Sequence, residues 1–256
     1  MEEMKLFRGL CGKLIWLSDQ TRPDVAFDVI SLTCKNKSAT LSTLKSLNKT
    51  IRKITSRESF VKYTRIGDLP DMKIVVISDG AYLKLEEKTK STRGVFILLM
   101  AGDQSPSVPL GWKGKTIATV CKSAKDAETR AADKALEEGI YMARCLKEAY
   151  TGERGQAQLP VEFYTDSDSL VASIFSTKQM ENKLMRLIIK YMKQLVDSQM
   201  LKSVTWIDTK VCIADVLTKS GSPLVDTVLN ILETCQMIDL LETDKKAHSR
   251  QRINIE

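Results

Sequence analysis

Four aspartates lie where a chain can hold side chains rigidly, at the ends of predicted strands and the starts of predicted helices. Asp79 and Asp166 each follow a short, largely apolar run that predicts a buried strand. Asp126 lies in the first turn of a long predicted helix, and Asp215 opens a later one. Carboxylate oxygens are hard ligands that Mg²⁺ accepts, so such positions could serve a metal-dependent nuclease.

Each of these acids also has an ordinary structural explanation. Asp79-Gly80 is a turn signal, and Asp166 can cap the helix that follows it. Asp126 lies three residues after a serine, which is a variant of the capping box. Asp215 is an acid at a helix start, where the helix dipole favours it. Taken singly, the four positions do not decide between structure and chemistry.

Composition narrows the possible chemistry. The 256-residue chain is 43% hydrophobic and 28% charged, which is typical of a globular protein. Its net charge of +7 favours a polyanionic partner such as nucleic acid, although a lysine-rich soluble surface gives the same excess. No apolar run reaches the length of a transmembrane helix, and no signal peptide is present, so we expect no membrane partner.

The histidine and cysteine residues exclude several enzyme classes. His248 is the only histidine and lies in a polar tail, which excludes a catalytic triad and histidine-based zinc sites in the folded body. Six cysteines occur without a Cys-x-x-Cys pair, so neither a zinc site nor a disulfide framework is indicated. Any enzyme here would have to use carboxylates, lysines or cysteines.

The order of predicted elements indicates an α/β fold. Helices are predicted up to about residue 54 and a strand over 59–66, and Gly67–Pro70 is the expected boundary. Three strands then follow in hairpin order, and later strands are separated by helices, which implies a mixed sheet with flanking helices. We predict a helical segment over 1–67, an α/β domain over 68–242 and a disordered tail over 243–256.

Several blocks, in order, resemble the C-terminal part of the Pol polyprotein of copia-type (Ty1/copia) retrotransposons. Phe7–Leu17 with Thr21–Phe27 resembles that family's block at the end of the reverse transcriptase. Phe163–Ser167 is similar to the family's LYCDN, and Ala214–Lys219 is nearly identical to its ADILTK. The resemblance extends from about residue 6 to about residue 219.

The resemblance implies a five-stranded ribonuclease H-like α/β fold, preceded by a small segment like a reverse-transcriptase thumb or connection. It also implies a set of four acids that bind two Mg²⁺ or Mn²⁺ ions and act in metal-assisted hydrolysis of the RNA strand of an RNA:DNA hybrid. Matched without a gap, the set comprises Asp79, Asp126, Asp166 and Asp215. The family has a glutamate where this chain has Asp126.

Further expectations follow from the resemblance. Basic residues around the acids would contact the phosphates and 2′-hydroxyls of the hybrid, namely Lys90, Arg93, Lys113 and Lys115. The upstream reverse transcriptase would be a partner, and the location would be a cytoplasmic retroelement particle or the nucleus. The similarity begins after the polymerase palm, so we expect no polymerase active site in this sequence.

Two departures from the family leave a second function open. The second acid is shorter by one methylene, and a misplacement of roughly 1 Å can cost about 10²-fold in rate. A basic, histidine-containing family block is replaced by Glu181–Arg186. The alternative is therefore a catalytically weakened or inactive nucleic-acid-binding module that keeps the fold.

Overall fold

The computed structural model describes residues 2–68, 71–85, 89–102, 106–152, 158–177 and 182–236. The predicted tail over 243–256, and the end of the last predicted helix, lie outside these residues. The elements are α1 (Glu2–Gln20), α2 (Ala26–Cys34), α3 (Leu41–Thr55), β1 (Met72–Leu85), β2 (Lys90–Ala101), β3 (Val108–Thr116), α4 (Ala124–Thr151), β4 (Val161–Thr165), α5 (Asp168–Phe175), α6 (Lys183–Asp197), β5 (Ser203–Trp206) and α7 (Val225–Thr234), with two 3-10 helices at Pro23–Val25 and Ile213–Leu217.

The five strands form one mixed sheet in the order β3-β2-β1-β4-β5. Strand β2 pairs antiparallel with β1 and with β3, whereas β4 pairs parallel with β1 and with β5. Helices separate the parallel strands, as crossover connections require. This is the ribonuclease H-like fold that the sequence predicts.

Strand β1 lies in the middle of the sheet and is buried on both faces. Ile74 and Val76 pack into a core with α4, α5 and α6, whereas Val75 and Ile77 pack into a second core with α7 and the 3-10 helix Ile213–Leu217. Successive side chains of a strand point to opposite faces, so four consecutive β-branched residues feed both cores. Helix α4 on one face and the 3-10 helix Ile213–Leu217 on the other therefore pack against the same strand.

Helix α4 lies unusually close to β1 because two glycines leave it room. A Cβ on Gly80 would come within 2.7 Å of the backbone of Ala127 and Glu128. A Cβ on Gly139 would lie 2.3 Å from Val76 Cγ2. Both distances are shorter than real Cβ contacts, so α4 can approach β1 this closely, near its start beside Gly80 and near its middle beside Val76, only because these positions are glycine.

The amino-terminal helices form a third core and dock against β3. Phe7, Val29 and Leu47 belong to this core, one from each of α1, α2 and α3. The Trp112 indole on β3 donates a hydrogen bond from Nε1 to the Ser18 carbonyl at 2.7 Å. These three helices thus lie against the edge strand β3, and the division into a helical segment over 1–67 and an α/β domain over 68–242 stays a prediction.

An arginine holds the amino-terminal segment together from inside. Arg22 is 4% exposed and forms a two-pronged ion pair with Asp24, at 2.8 and 3.0 Å. Its remaining guanidinium hydrogens are donated to backbone carbonyls near the end of α3, those of Lys53, Ile54 and Arg57. Because these donors all have acceptors, the buried charge is compensated.

Two predicted elements differ from the structure. Residues 59–66 form no strand; the Lys62 N–H instead donates to the Leu232 carbonyl at 2.8 Å, so the segment packs beside α7. Strand β1 continues past the predicted turn at Asp79-Gly80 to Leu85, because pairing with β2 continues there. Within the described ranges, none of the helices combines the length and the apolar composition that a bilayer span requires.

Candidate metal centre

Three of the four predicted acids lie near one another at one edge of the sheet. In the parallel register of β1 and β4, Ser78 lies beside Thr165, so the next residues, Asp79 within β1 and Asp166 just after β4, also lie side by side. Asp79 pairs with Gly94 on β2. A Cβ added to Gly94 would lie 2.8 Å from the Ala214 carbonyl oxygen. The missing side chain lets the 3-10 helix come close to the sheet and brings in Asp215.

The fourth member of this cluster is Glu128. Carboxylate oxygens of Asp79, Glu128 and Asp166 all lie within 4.8 Å of one another, which is a spacing that a bound metal ion could bridge. The Gly80 N–H donates to Glu128 Oε2 at 3.0 Å, which fixes the glutamate beside the end of β1. We call Asp79, Glu128, Asp166 and Asp215 the carboxylate cluster.

The structure places Asp126 outside the carboxylate cluster, which corrects the ungapped match with the family motif. Asp126 Oδ2 accepts from the Lys122 N–H at 3.0 Å, and Oδ1 accepts from Arg130 Nε at 2.7 Å. The Asp126 N–H donates to Ser123 Oγ at 3.1 Å, so the Ser123 side chain caps α4. The Asp126 carboxylate is therefore engaged by contacts at the start of its own helix, although Ser123 and not Asp126 is the capping side chain.

Helix phase explains why Glu128, and not Asp126, faces the other acids. Glu128 precedes the buried residues Ala132 and Ala135 by four and seven positions, so it lies on the face of α4 that packs on the sheet. Asp126 is two positions earlier and points elsewhere. The spacing of two residues indicates only that the two acids face different ways. The positions of the buried alanines show that Glu128 is the one on the face towards the sheet.

Two side chains that follow the 3-10 helix Ile213–Leu217 contact the carboxylate cluster. The Thr218 hydroxyl donates to Asp79 Oδ2. The Lys219 ammonium donates to Asp215 Oδ1 and lies 3.6 Å from Asp79 Oδ1. Asp166 is held separately, because its Oδ2 accepts from the Thr209 hydroxyl at 2.9 Å.

Crowding of the acids changes their proton affinities. Burial raises the pKa of Asp79 to about 6, with Asp166 and Asp215 adding to the rise and Lys219 opposing it. Burial raises the pKa of Glu128 to about 9, again with neighbouring acids adding to the rise. The pKa of Asp215 is also raised, chiefly by burial. The single ammonium of Lys219 does not offset the rise at Asp79, and a divalent cation would supply further positive charge.

The donor set fits Mg²⁺ or Mn²⁺. All four members of the carboxylate cluster offer hard oxygen ligands, which these ions prefer. Cys212 also lies against Asp166 and Asp215, and burial with the nearby acids raises the pKa of its thiol well above the usual value. The thiol therefore stays protonated and neutral, and its weak S–H donor faces the Ser78 carbonyl at 3.8 Å.

The basic residues named from the sequence lie on β2 and β3. Arg93 pairs in register with Gly80 on one side and with Lys115 on the other, so it lies next to the carboxylate cluster. Its Nη1 is 3.3 Å from Glu138 Oε1 on α4. Lys113 shares the face of Lys115, and desolvation together with Lys113 and Arg93 lowers the pKa of Lys115. Lys90 is exposed at the start of β2.

The sequence reasoning missed Glu128, Thr218 and Lys219 as site residues. Glu128 could have been found from the alanines of α4, as described above. Thr218 and Lys219 stand in the block Ala214–Lys219 that carries the family resemblance, but their contact with Asp79 joins residues 139 and 140 positions apart. No local pattern reveals that contact.

Comparisons with known proteins give similar structures only. No protein-family model matches the chain, and no curated protein matches it. Ribonuclease H1 from Halobacterium salinarum has a TM-score of 0.38 at 19% identity, covering 57% of this chain and 94% of its own. The amino-terminal ribonuclease H domain of a Mycobacterium tuberculosis protein has a TM-score of 0.40 at 15% identity, covering 61% and 98%.

A third similar structure is a compost-derived ribonuclease H1 in complex with an RNA/DNA hybrid, with a TM-score of 0.40 at 15% identity, covering 61% of this chain and 99% of its own. Scores this low support no inference about activity or substrate. The strand order and pairing of this chain define its fold class, which is ribonuclease H-like. The acids cluster beside the neighbouring strands β1 and β4.

Proposed function

We propose that the protein is a ribonuclease H-type endonuclease that hydrolyses the RNA strand of RNA:DNA hybrids with two divalent metal ions. One observation carries the proposal: carboxylates from β1, from α4 and from the residue after β4 lie within 4.8 Å of one another, and Asp215 joins them from the 3-10 helix Ile213–Leu217. The acids lie beside the carboxyl end of β4, and ligands of open α/β sheets bind outside the carboxyl ends of the strands, which supports this proposal.

Each member of the carboxylate cluster has a defined task in this proposal. Asp79, on the rigid central strand, would be the shared ligand, and Glu128, Asp166 and Asp215 would hold the ions from three sides. Divalent ions held by these residues would supply an activated hydroxide and charge stabilisation for the leaving 3′ oxygen. Asp79 is 1% exposed and lies on a buried strand, so packing fixes its position before substrate arrives.

The substrate assignment rests on charge and on position. Lys113, Lys115 and Arg93 share one face of the sheet next to the carboxylate cluster, and Lys90 lies at the same end of β2. Such a row can follow a phosphate backbone towards the acids. Because the RNA strand of an RNA:DNA hybrid offers both phosphates and 2′-hydroxyls to such a row, we propose this hybrid as the ligand of this chain.

We further propose a copia-type retroelement origin, with an upstream reverse transcriptase as partner and a retroelement particle or the nucleus as location. The ordered sequence blocks support this origin, particularly Ala214–Lys219, whose last two residues contact Asp79.

The test is cleavage of an end-labelled RNA:DNA hybrid in Mg²⁺. We expect the intact protein to cut the RNA strand at internal sites and to leave duplex DNA intact. Asp79→Asn should reduce the rate by at least about 10³-fold, since it removes the charge of the shared ligand. Equal cleavage by both proteins would show that a contaminant or another site is responsible.

The alternative is a nucleic-acid-binding module without catalysis. Its first ground is the shortened second acid, and in our proposal Glu128, which has the full glutamate side chain, takes that place in the site. Its second ground, the replaced histidine block, remains. Hybrid binding that weakens with salt, without cleavage in Mg²⁺ or Mn²⁺, would establish this alternative.

A further inference from the structure

A lysine lies where a metal ion would be needed. The Lys219 ammonium contacts Asp215 Oδ1 directly and Asp79 Oδ1 at 3.6 Å, so one cation joins two members of the carboxylate cluster. The side chain reaches them because Lys219 follows the 3-10 helix by two residues and is four residues after Asp215. Its Nζ is thus a monovalent cation tethered inside a proposed divalent-ion site.

Both oxygens of Asp79 are engaged in this arrangement. Oδ1 faces Lys219, and Oδ2 accepts the Thr218 hydroxyl. The hydroxyl is neutral, and each carboxylate oxygen has two lone pairs, so that hydrogen bond is compatible with a bound metal. The ammonium is different, because a second cation on the same oxygens would repel it at short range.

We infer that Lys219 is a built-in counter-ion that competes with divalent metal for Asp79 and Asp215. It stabilises the metal-free carboxylate cluster and must withdraw when a metal ion binds, so it sets the metal concentration at which the site fills. This inference rests on the proposed function, because it takes the carboxylate cluster to be a metal site.

The surroundings allow the lysine to withdraw. Its side chain is 33% exposed, whereas that of Asp79 is 1% exposed and that of Asp215 is 8% exposed. The carboxylates are therefore fixed in the core, and the flexible four-carbon stem carries its charge at the rim of the site. Movement of the ammonium into solvent requires rotamer changes only, with no change in the backbone.

Metal binding to three matched proteins tests the inference. Lys219→Met removes the ammonium and keeps most of the stem. Lys219→Arg keeps a cation at the same place. Lys210→Met removes a positive charge from an exposed residue in the preceding loop, without an ion pair in the described part of the chain. Melting temperature is followed at pH 8 against Mg²⁺, and separately against Mn²⁺, without substrate.

We expect Lys219→Met to melt at a lower temperature without metal, because the acids then repel one another without compensation. Its half-saturating metal concentration should fall by roughly tenfold or more, since the competitor is gone. Lys219→Arg and Lys210→Met should stay within about threefold of the natural protein. A half-saturating concentration for Lys219→Met within twofold of the natural protein overturns the competition while leaving the metal site intact.

The natural protein provides a second measurement that does not depend on the folding of a variant. Amine acylation followed by mass spectrometry should label Lys219 slowly without metal and faster with saturating Mg²⁺, while Lys210 labels equally in both. Unchanged labelling of Lys219 in a protein that binds Mg²⁺ overturns the inference. If no protein responds to either metal by melting or labelling, both the proposed nuclease site and the competition are overturned.

Discussion

Two carboxylates at the start of α4, separated by a single residue, have opposite surroundings. Asp126 accepts a backbone N–H and pairs with Arg130, so its charge is compensated within its own turn of helix. Glu128 faces Asp79 and Asp166, and burial beside them raises its pKa to about 9. Asp126 stabilises the start of the helix, whereas the ionised form of Glu128 is disfavoured by burial and by the neighbouring acids.

The comparison shows how to separate structural acids from functional ones in this fold. A carboxylate that makes local hydrogen bonds needs no further explanation. A carboxylate that faces other carboxylates destabilises the protein unless something else binds there, so such an arrangement points to a ligand. By this criterion the glutamate, and not the aspartate, belongs to the proposed metal site.

The largest effect that distinguishes the two acids should be on RNA cleavage. Glu128→Gln keeps the shape and removes the charge, and we expect it to lower the hybrid cleavage rate in Mg²⁺ by at least about 10³-fold. Asp126→Asn should retain activity within about threefold, since its contacts lie outside the carboxylate cluster. End-labelled hybrid assays at saturating metal measure both.

The opposite result is equally informative. If Asp126→Asn were inactive while folded and Glu128→Gln active, the ungapped family match would be right and the helix phase described here would be wrong. Far-ultraviolet circular dichroism of both variants provides the necessary check that each is folded.

The second prediction concerns stability and reverses the order of the two acids. Asp126→Ala removes the acceptor for Lys122 and leaves Arg130 without its carboxylate, so unfolding should become easier by about 3 kcal/mol. Glu128→Gln should leave stability at neutral pH unchanged or raise it, because it removes a crowded acid. Urea titrations of the metal-free proteins give both values, and equal losses would contradict the distinction.

The sequence could predict this site in part, and the limits are physical. Burial of a β-branched run located β1, and its end located Asp79, because these signals are local. The choice between Asp126 and Glu128 depends on helix phase, which the buried alanines of α4 encode but an ungapped motif match ignores. The contact of Lys219 with Asp79 depends on how the 3-10 helix packs against β1 and β2, which no local pattern specifies.

The predicted turn at Asp79-Gly80 is wrong for a similar reason, because contacts between distant residues decide where β1 ends. Asp79-Gly80 has the composition of a turn, yet the strand continues to Leu85 because β2 continues to pair with it. Gly80 is needed for a different reason, which is the close approach of α4 at the position of Glu128. Tertiary contacts thus override a local turn preference.

The third prediction uses this glycine to move one acid and not the other. Gly80→Ala puts a Cβ 2.7 Å from the backbone of Ala127 and Glu128, so α4 must shift away from β1 at that point. We expect a loss of about 2 kcal/mol in stability and roughly 10²-fold in cleavage, because Glu128 is displaced from Asp79. Gly102→Ala, at an open position with positive φ, is the control for a loss of stability without a change in the site.

The smallest expected effect is the pH dependence of the metal-free protein. Folding raises the pKa of Glu128 from 4.5 to about 9, so the folded state binds this proton more tightly than the unfolded chain does. Its contribution to stability is therefore complete below about pH 4.5 and is lost as the pH rises to about 9. Asp79 acts in the same direction but only up to about pH 6.

Melting in a chelator between pH 6.5 and 9 isolates the glutamate from Asp79. Stability should fall with pH by at most about 1.4 kcal/mol per pH unit from this one carboxyl. Glu128→Gln should flatten the curve, and Asp126→Asn should keep the slope of the natural protein. Saturating Mg²⁺ should reverse the trend, because the ion binds the deprotonated carboxylates and its stabilisation grows as protons leave. A slope that Glu128→Gln leaves intact would mean that another group holds the proton, and the contrast between the two acids would then be one of position alone.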